Sequence, residues 1–157
     1  MIKKTALVFI ATTALLMAAP IEVSKEKRCL IRQIKVYENP AWIAKAVTRQ
    51  KKDVYFSSPK SMFEYYFNPI RWTELGAISP DDVTSVSVTD FKTLEATDAR
   101  SAYFVYGSAI VGPAGDDLVP FAEQKDAEAF MKKYNGKRIL RFSEIKLSLI
   151  NLINGRI

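Results

Sequence analysis

Two absences in this chain of 157 residues exclude most catalytic and metal chemistry. There is no histidine, so neither a Ser-His-Asp triad nor a two-histidine zinc site can form. There is one cysteine, Cys29, which excludes an internal disulfide, a Cys-x-x-Cys redox pair and a four-cysteine metal centre. Because no other enzyme-like constellation is present, we expect a protein without catalytic activity.

The residues that are present indicate a folded, basic protein. Hydrophobic residues make up 48% and charged residues 25% of the chain, enough for a core in one domain or two small ones. The net charge is +6, with basic residues concentrated between residues 20 and 60. Outside the cytoplasm such a patch meets an acidic protein or an anionic membrane rather than nucleic acid, or is a solvated face. Lys27, Arg28 and Arg32 are therefore candidate partner-binding residues, and Trp72 could anchor a partner.

Residues 1–19 are typical of a secretory signal peptide. Lys3 and Lys4 precede 15 residues without charge, which correspond to the basic and apolar parts of a leader. As a helix, this apolar part would span about 22 Å, less than the roughly 30 Å core of a bilayer. We predict a periplasmic protein that is soluble or N-terminally anchored. Because Cys29 lies ten residues beyond Ala19, we predict that it is not a lipoprotein.

Two stretches resemble each other and indicate an internal duplication. Residues 54–60 and 119–125 share a valine, a phenylalanine and a lysine at matching positions, and each leads into an amphipathic segment. The predicted fold class is α+β, with two tandem related ββαβ units. The predicted divisions are a basic N-terminal segment at 20–40, the two units at 41–92 and 93–144, and a C-terminal tail at 145–157.

Hydrophobic periodicity and helix-capping signals place the elements of each unit. Ser58 and Pro59 are typical of a helix start, and Asn68-Pro69 of its end. The second helix is expected at residues 123–134, and Met62 and Met131 are expected to pack inside the protein from the two helices. The strands are expected at residues 42–48, 54–57, 83–89, 102–106, 118–121 and 138–142.

Short segments in collinear order between Cys29 and Glu144 resemble the NosL family. They include Pro40-Ala-Trp42, Met62-Phe-Glu-Tyr-Tyr66, Val119-Pro-Phe121 and Gly136-Lys-Arg-Ile-Leu-Arg-Phe142. The resemblance implies an exported accessory protein encoded with nitrous oxide reductase. It also implies copper(I) binding, a role in supplying copper to that enzyme, a protein partner in this maturation, and a pair of related ββαβ units.

The resemblance further implies two ligand segments, and this sequence departs from the family pattern in both. In the pattern Cys-x-x-Cys-Gly-Met, Cys29 matches the first cysteine, whereas arginine, glutamine and isoleucine occupy positions 32–34. In the pattern Gly-Pro-Met-Gly-His, Ala114 replaces the methionine and Asp116 the histidine. Cys29 and Asp116 therefore remain as candidate metal ligands. They make a poor copper(I) site, because this ion prefers thiolate, thioether or imidazole ligands.

The sequence leaves two functions open. One is an accessory protein for the copper centres of nitrous oxide reductase or a related metalloenzyme. The other is a diverged module that has lost copper and binds a protein or membrane partner. Cys29 is either a copper(I) ligand or an incidental thiol near a flexible start. Asp116 and Asp117 are either ligands of a hard ion or, as their Gly-rich setting favours, solvated turn residues.

Overall fold

The computed structural model describes residues 18–156, in which antiparallel sheets are combined with helices. This confirms the predicted α+β class. The strands are β1 Ala44–Thr48, β2 Asp53–Phe56, β3 Val83–Thr89, β4 Ala96–Asp98, β5 Tyr103–Tyr106, β6 Leu118–Phe121 and β7 Arg138–Arg141. The α-helices of this range are α1 Pro59–Phe67, α2 Gln124–Lys133 and α3 Leu147–Ile153. Apart from Ala18 and Ala19, the predicted signal peptide lies outside the described residues.

The two sheets repeat one order of elements. The first has the strand order β2-β1-β3-β4 and the second β6-β5-β7. In each sheet the first strand of the unit is central, and a helix connects the strands on either side of it. The extra strand β4 pairs with β3, although the predicted boundary at residue 92 places it with the second unit. Its three residues are too few to produce a periodic pattern, so the sequence did not predict it.

Local sequence explains where the elements begin and end. The Ser58 side chain accepts a hydrogen bond from the Ser61 amide, and Pro59 occupies the first turn of α1, as predicted. β3 buries Val86 and Val88 and exposes Ser85, as expected for a half-buried strand. β1 begins two residues later than predicted, because residues 40–42 form a 3-10 turn.

The interior consists of two hydrophobic clusters. The larger one joins the first sheet to α1 and α3, and Met62 is fully buried in it. The smaller one lies between α2 and the second sheet, where Phe121 and Phe130 pack with ring centroids 5.1 Å apart and Met131 is partly buried. These positions confirm that both methionines contribute to packing.

The N-terminal segment runs along both edges of the first sheet. The Ala19 carbonyl accepts a hydrogen bond of 2.9 Å from the Ala96 amide in β4, and the Leu30 amide donates one of 3.1 Å to the Tyr55 carbonyl in β2. At the other end of the chain, α3 packs against α1. The segment after β7 thus covers part of α1. Between residues 18 and 156, the structure contains no helix with the length and apolar character needed to cross a bilayer.

Candidate functional site

Cys29 lies in a tight turn formed by residues 28–35, which we name the thiol turn. The Cys29 amide donates to the Ile34 carbonyl at 2.8 Å, and the Gln33 amide donates to the Cys29 carbonyl at 2.9 Å. The sulfur accepts a hydrogen bond of 3.4 Å from the Arg32 amide, and the residue is 0% exposed within the first cluster. Cys29 is therefore a thiol packed in the core, and its role as a copper(I) ligand stays a prediction.

Arg32 points into the protein and joins the thiol turn to α1. Its guanidinium donates to the Glu64 carboxylate at 3.0 Å and to the Asn154 side-chain oxygen at 2.7 Å. Glu64 also accepts hydrogen bonds from Arg156 at 2.9 Å and from the Asn154 amide group at 3.1 Å. The sequence predicts Arg32 as a partner-binding cation, whereas in the structure it neutralises a buried carboxylate.

Residues 107–117 form the connection between β5 and β6, which we name the glycine loop. It ends at Asp117, whose Oδ1 accepts hydrogen bonds from the Lys60 amide at 2.8 Å and the Leu118 amide at 2.9 Å. Burial raises the pKa of this carboxyl from 3.8 to about 6. The interpretation of Asp117 as a solvated turn residue is wrong, because it accepts an orphan donor from the first turn of α1.

Lys60 supplies a positive charge beside Asp117, although the sequence groups it with the basic residues between 20 and 60. Lys60 is only 2% exposed, and its Nζ donates a hydrogen bond of 2.9 Å to the Ala114 carbonyl of the glycine loop. Burial lowers the pKa of this ammonium, and the charge of Asp117 opposes that effect. The first turn of α1 therefore holds the glycine loop by its backbone amide and by its side chain.

The thiol turn and the glycine loop meet at the N-terminal half of α1. Lys60 is close enough to be influenced by the charges of Arg32 on one side and of Asp116 and Asp117 on the other. The same helix presents Glu64 to Arg32 one turn later. The two segments in which the NosL resemblance implies copper ligands are thus connected here through buried charges of α1.

The donors at this position do not fit a tight copper(I) site within one chain. Cys29 supplies one fully buried thiol, and Asp116 supplies a hard, exposed carboxylate. Within residues 18–156 no group of three or more cysteine, aspartate or glutamate side chains is placed to hold a metal ion. Copper(I) prefers soft ligands, and the ammonium of Lys60 adds a like charge nearby.

A polar cavity of about 320 Å³ lies beside the glycine loop. Asp116 and Lys137 contribute to its lining, together with Leu152 of α3. The loop bends at Gly107 and Gly115, which have φ values of 72° and 91°. The two glycines thus shape a bend between the strands, and Asp116 is exposed, as expected for a solvated turn residue.

The remaining predicted partner-binding residues differ in exposure. Lys27 and Arg28 are exposed, with the Lys27 ammonium 5.4 Å from the centroid of the Tyr55 ring. Trp72 is only half-buried, but its ring packs on Tyr65 with centroids 5.8 Å apart. Lys27 and Arg28 are accessible to a partner, whereas much of Trp72 is used in packing.

Sequence reasoning missed the carboxylate at the centre of the site. Glu64 stands between Phe63 and Tyr65, and this run of apolar neighbours was the sequence signal of its burial. Its partners Asn154 and Arg156 lie about ninety residues away along the chain. Such a pairing depends on how α3 packs on α1, which a single sequence does not specify.

Comparisons with known proteins agree with this architecture. A sequence profile described as NosL matches residues 20–150. The structure is similar to the crystal structure of the copper chaperone NosL from Shewanella denitrificans, with a TM-score of 0.70 and 26% identity over 84% of this chain and 98% of that one. The solution structure of apo-NosL from Achromobacter cycloclastes is also similar, with a TM-score of 0.49 and 23% identity over 68% and 87% of the two chains.

A curated relative is similar over a shorter segment. The copper-binding lipoprotein NosL of Stutzerimonas stutzeri is 45% identical over 53 residues, which are 34% of this chain. The match spans only 27% of the length of that relative.

Proposed function

Because the chain belongs to the NosL family, we propose that it assists, without catalysis, the assembly of copper centres in nitrous oxide reductase or a related metalloenzyme. The observation that carries this proposal is the likeness to a copper chaperone over 84% of the chain. The curated relative is described as copper-binding, which also supports a role connected with copper. Family membership supports a copper-related accessory role, and the proposal adds the enzyme that receives the copper.

The proposed mode of action is contact with a protein partner. The donors near α1 do not favour tight carriage of copper(I), since the single thiol is buried and Arg32 is bound to Glu64. Lys27 precedes the thiol turn and Arg28 begins it, and both residues are exposed to solvent. We therefore assign the partner contact to this exposed basic segment, with Cys29 and Asp116 as weak ligands at most.

A second candidate is a binding module that no longer binds copper. The network around Glu64 favours it, because its hydrogen bonds give Arg32 a structural task at one of the positions where the family pattern has a soft ligand. Such a module would bind a protein or an anionic membrane surface through its basic face. Copper(I) binding and the response of a copper enzyme distinguish the two candidates.

The proposed location is the periplasm, reached through the N-terminal signal peptide. The relative from Stutzerimonas stutzeri is described as a lipoprotein, which gives no support to our prediction of an unlipidated chain. A lipid on Cys29 would require the chain to start there and would remove Ala19, whose carbonyl binds the Ala96 amide. Mass spectrometry of the mature protein tests this point directly.

The test of function is the copper content of nitrous oxide reductase produced with and without this protein. We expect a higher copper content when the protein is present. Reversing the charge at Lys27 and Arg28 should lower this gain severalfold, whereas the same reversal at Lys132 and Lys133 on α2 should not. A copper content that does not respond to the wild-type protein would contradict the proposal.

A further inference from the structure

A groove with an aromatic floor lies at the C-terminal end of α1. Its volume is about 390 Å³, and its lining includes Tyr66, Phe67 and Phe142 together with Arg100 and Lys146. The Tyr66 ring meets the Phe142 ring edge to face at 5.1 Å and the Phe67 ring at 5.5 Å. We name this place the aromatic groove. It lies at the other end of α1 from Lys60 and has no part in the site described above.

The two cations of the aromatic groove donate hydrogen bonds to neutral oxygens, and the Arg100 guanidinium also lies over the Phe142 ring, 5.8 Å from its centroid. The Arg100 guanidinium donates to the Val83 carbonyl at 2.9 Å, and the Lys146 ammonium donates to the Ser143 carbonyl at 2.7 Å. Both residues are exposed, and neither forms a salt bridge with a carboxylate among the described residues.

The acidic residues closest along the chain are engaged elsewhere. Asp98 accepts a hydrogen bond from the Arg100 backbone amide at 3.0 Å. Glu144 accepts one from the Arg141 amide at 2.7 Å and lies 3.7 Å from the Arg138 guanidinium. Neither Asp98 nor Glu144 is therefore a direct ion-pair partner of Arg100 or Lys146. None of the residues lining the aromatic groove is acidic.

An aromatic floor between two such cations suits a ligand that is both apolar and anionic. Rings offer contact area to an apolar side chain, and the free donors of a guanidinium match a carboxylate. We propose that the aromatic groove docks an acidic segment of a protein partner, with an apolar side chain on Tyr66 and Phe142 and carboxylates at Arg100 and Lys146. A membrane is a poorer occupant, because attraction to anionic lipid grows with the number of basic residues on the surface and the groove has two.

This docking surface goes beyond the proposed function and requires no copper. Its probe is a labelled twelve-residue peptide of glutamates around a central phenylalanine, titrated into the full protein at low salt. The decisive variant is Lys146→Glu, since this side chain is exposed and its ammonium donates to a carbonyl of its own turn. Lys132→Glu on α2 is the control, because it makes the same change in net charge away from the groove.

We expect saturable binding by the wild type, a dissociation constant raised about tenfold by Lys146→Glu, and less than a twofold change in Lys132→Glu. Replacing the central phenylalanine of the peptide by alanine should weaken binding by a similar factor. Arg100→Gln should act in the same direction, with its fold checked by circular dichroism because Arg100 also binds the Val83 carbonyl.

Three results would overturn this proposal. One is the absence of saturable binding, and another is equal weakening by Lys146→Glu and Lys132→Glu, which would indicate attraction to net charge alone. The third is binding to phosphatidylglycerol vesicles with no binding of the peptide, which would assign the positive charge to a membrane. A failure of the copper-delivery experiment would leave each of these readouts intact, so the two proposals are tested separately.

Discussion

The helices α1 and α2 occupy equivalent places in the two sheets but differ in how deeply they are buried. In α1, residues 59–65 are all buried, Lys60 and Glu64 among them, whereas in α2 only Ala127 and Phe130 are buried. The thiol turn, the glycine loop and α3 enclose α1. A shared order of elements therefore produces a solvated amphipathic helix in one unit and a charged, enclosed helix in the other. The enclosed charges need partners within the protein.

The largest expected effect comes from the carboxylate of the enclosed helix. Glu64→Gln leaves Arg32 and Arg156 without their counter-ion and should lower the free energy of unfolding by about 4 kcal/mol. The control is Glu128→Gln on α2, where the exposed carboxylate accepts one bond from Gln124 and the change should be within about 0.5 kcal/mol. Urea unfolding of both variants measures the difference, and equal stabilities would contradict the comparison.

The next effect is a dependence of stability on pH. The folded pKa of Asp117 lies near 6, above its ordinary 3.8, because the carboxyl is buried. Between about pH 4 and pH 6 the unfolded chain is therefore ionised at this residue while the folded chain keeps its proton. Stability from this group is greatest below pH 4 and falls as pH rises to 6, by about 3 kcal/mol in all. Above pH 6 it stays at the lower value.

The variant Asp117→Asn should remove that part of the slope. Unfolding free energies at pH 4, 5, 6 and 7 are compared with those of Asp116→Asn, in which the exposed neighbour is changed instead. The wild type and Asp116→Asn should lose stability relative to Asp117→Asn as pH rises. Parallel curves for all three proteins would mean that Asp117 is not held in a buried, protonatable state.

A smaller effect is expected at the lysine that is shared by the two repeats. Lys60→Met removes the donor to the Ala114 carbonyl and the positive charge near Asp117, and should cost about 2 kcal/mol. Lys125 occupies the matching position in the first turn of α2 and is exposed, so Lys125→Met should change stability by less than about 0.5 kcal/mol. Thermal unfolding would refute this expectation if the two substitutions proved equivalent.

Much of the fold follows from local patterns in the sequence. The start of α1 at Ser58 and Pro59, the alternation of β3 and the packing face of α2 are set by capping residues and apolar spacing, and the structure has them where they are expected. Local patterns carry these features because their causes lie within a few residues. The ten residues of α2 form an amphipathic helix with one buried face, which the spacing of the apolar residues is enough to predict.

The candidate site could be predicted only in part. The two segments that carry it, around Cys29 and Asp116, were identified through the family resemblance. The burial of Lys60, Glu64 and Asp117 was not, because charged residues are usually exposed unless a distant segment neutralises them. For Glu64 the distant partners are in the thiol turn and just after α3. For Lys60 and Asp117 they are the glycine loop and the start of α1. Which of these segments meet depends on the packing of the whole molecule.

The measurement that tests the central claim most directly is an anaerobic copper(I) titration against a competing chelator, with the wild type beside Cys29→Ser. The claim is that the family's two ligand segments are held together by buried protein charges and do not form a tight copper(I) site in one chain. We predict weak binding that is the same in both proteins. Tight binding of one copper(I) per chain that is lost in Cys29→Ser would contradict the account.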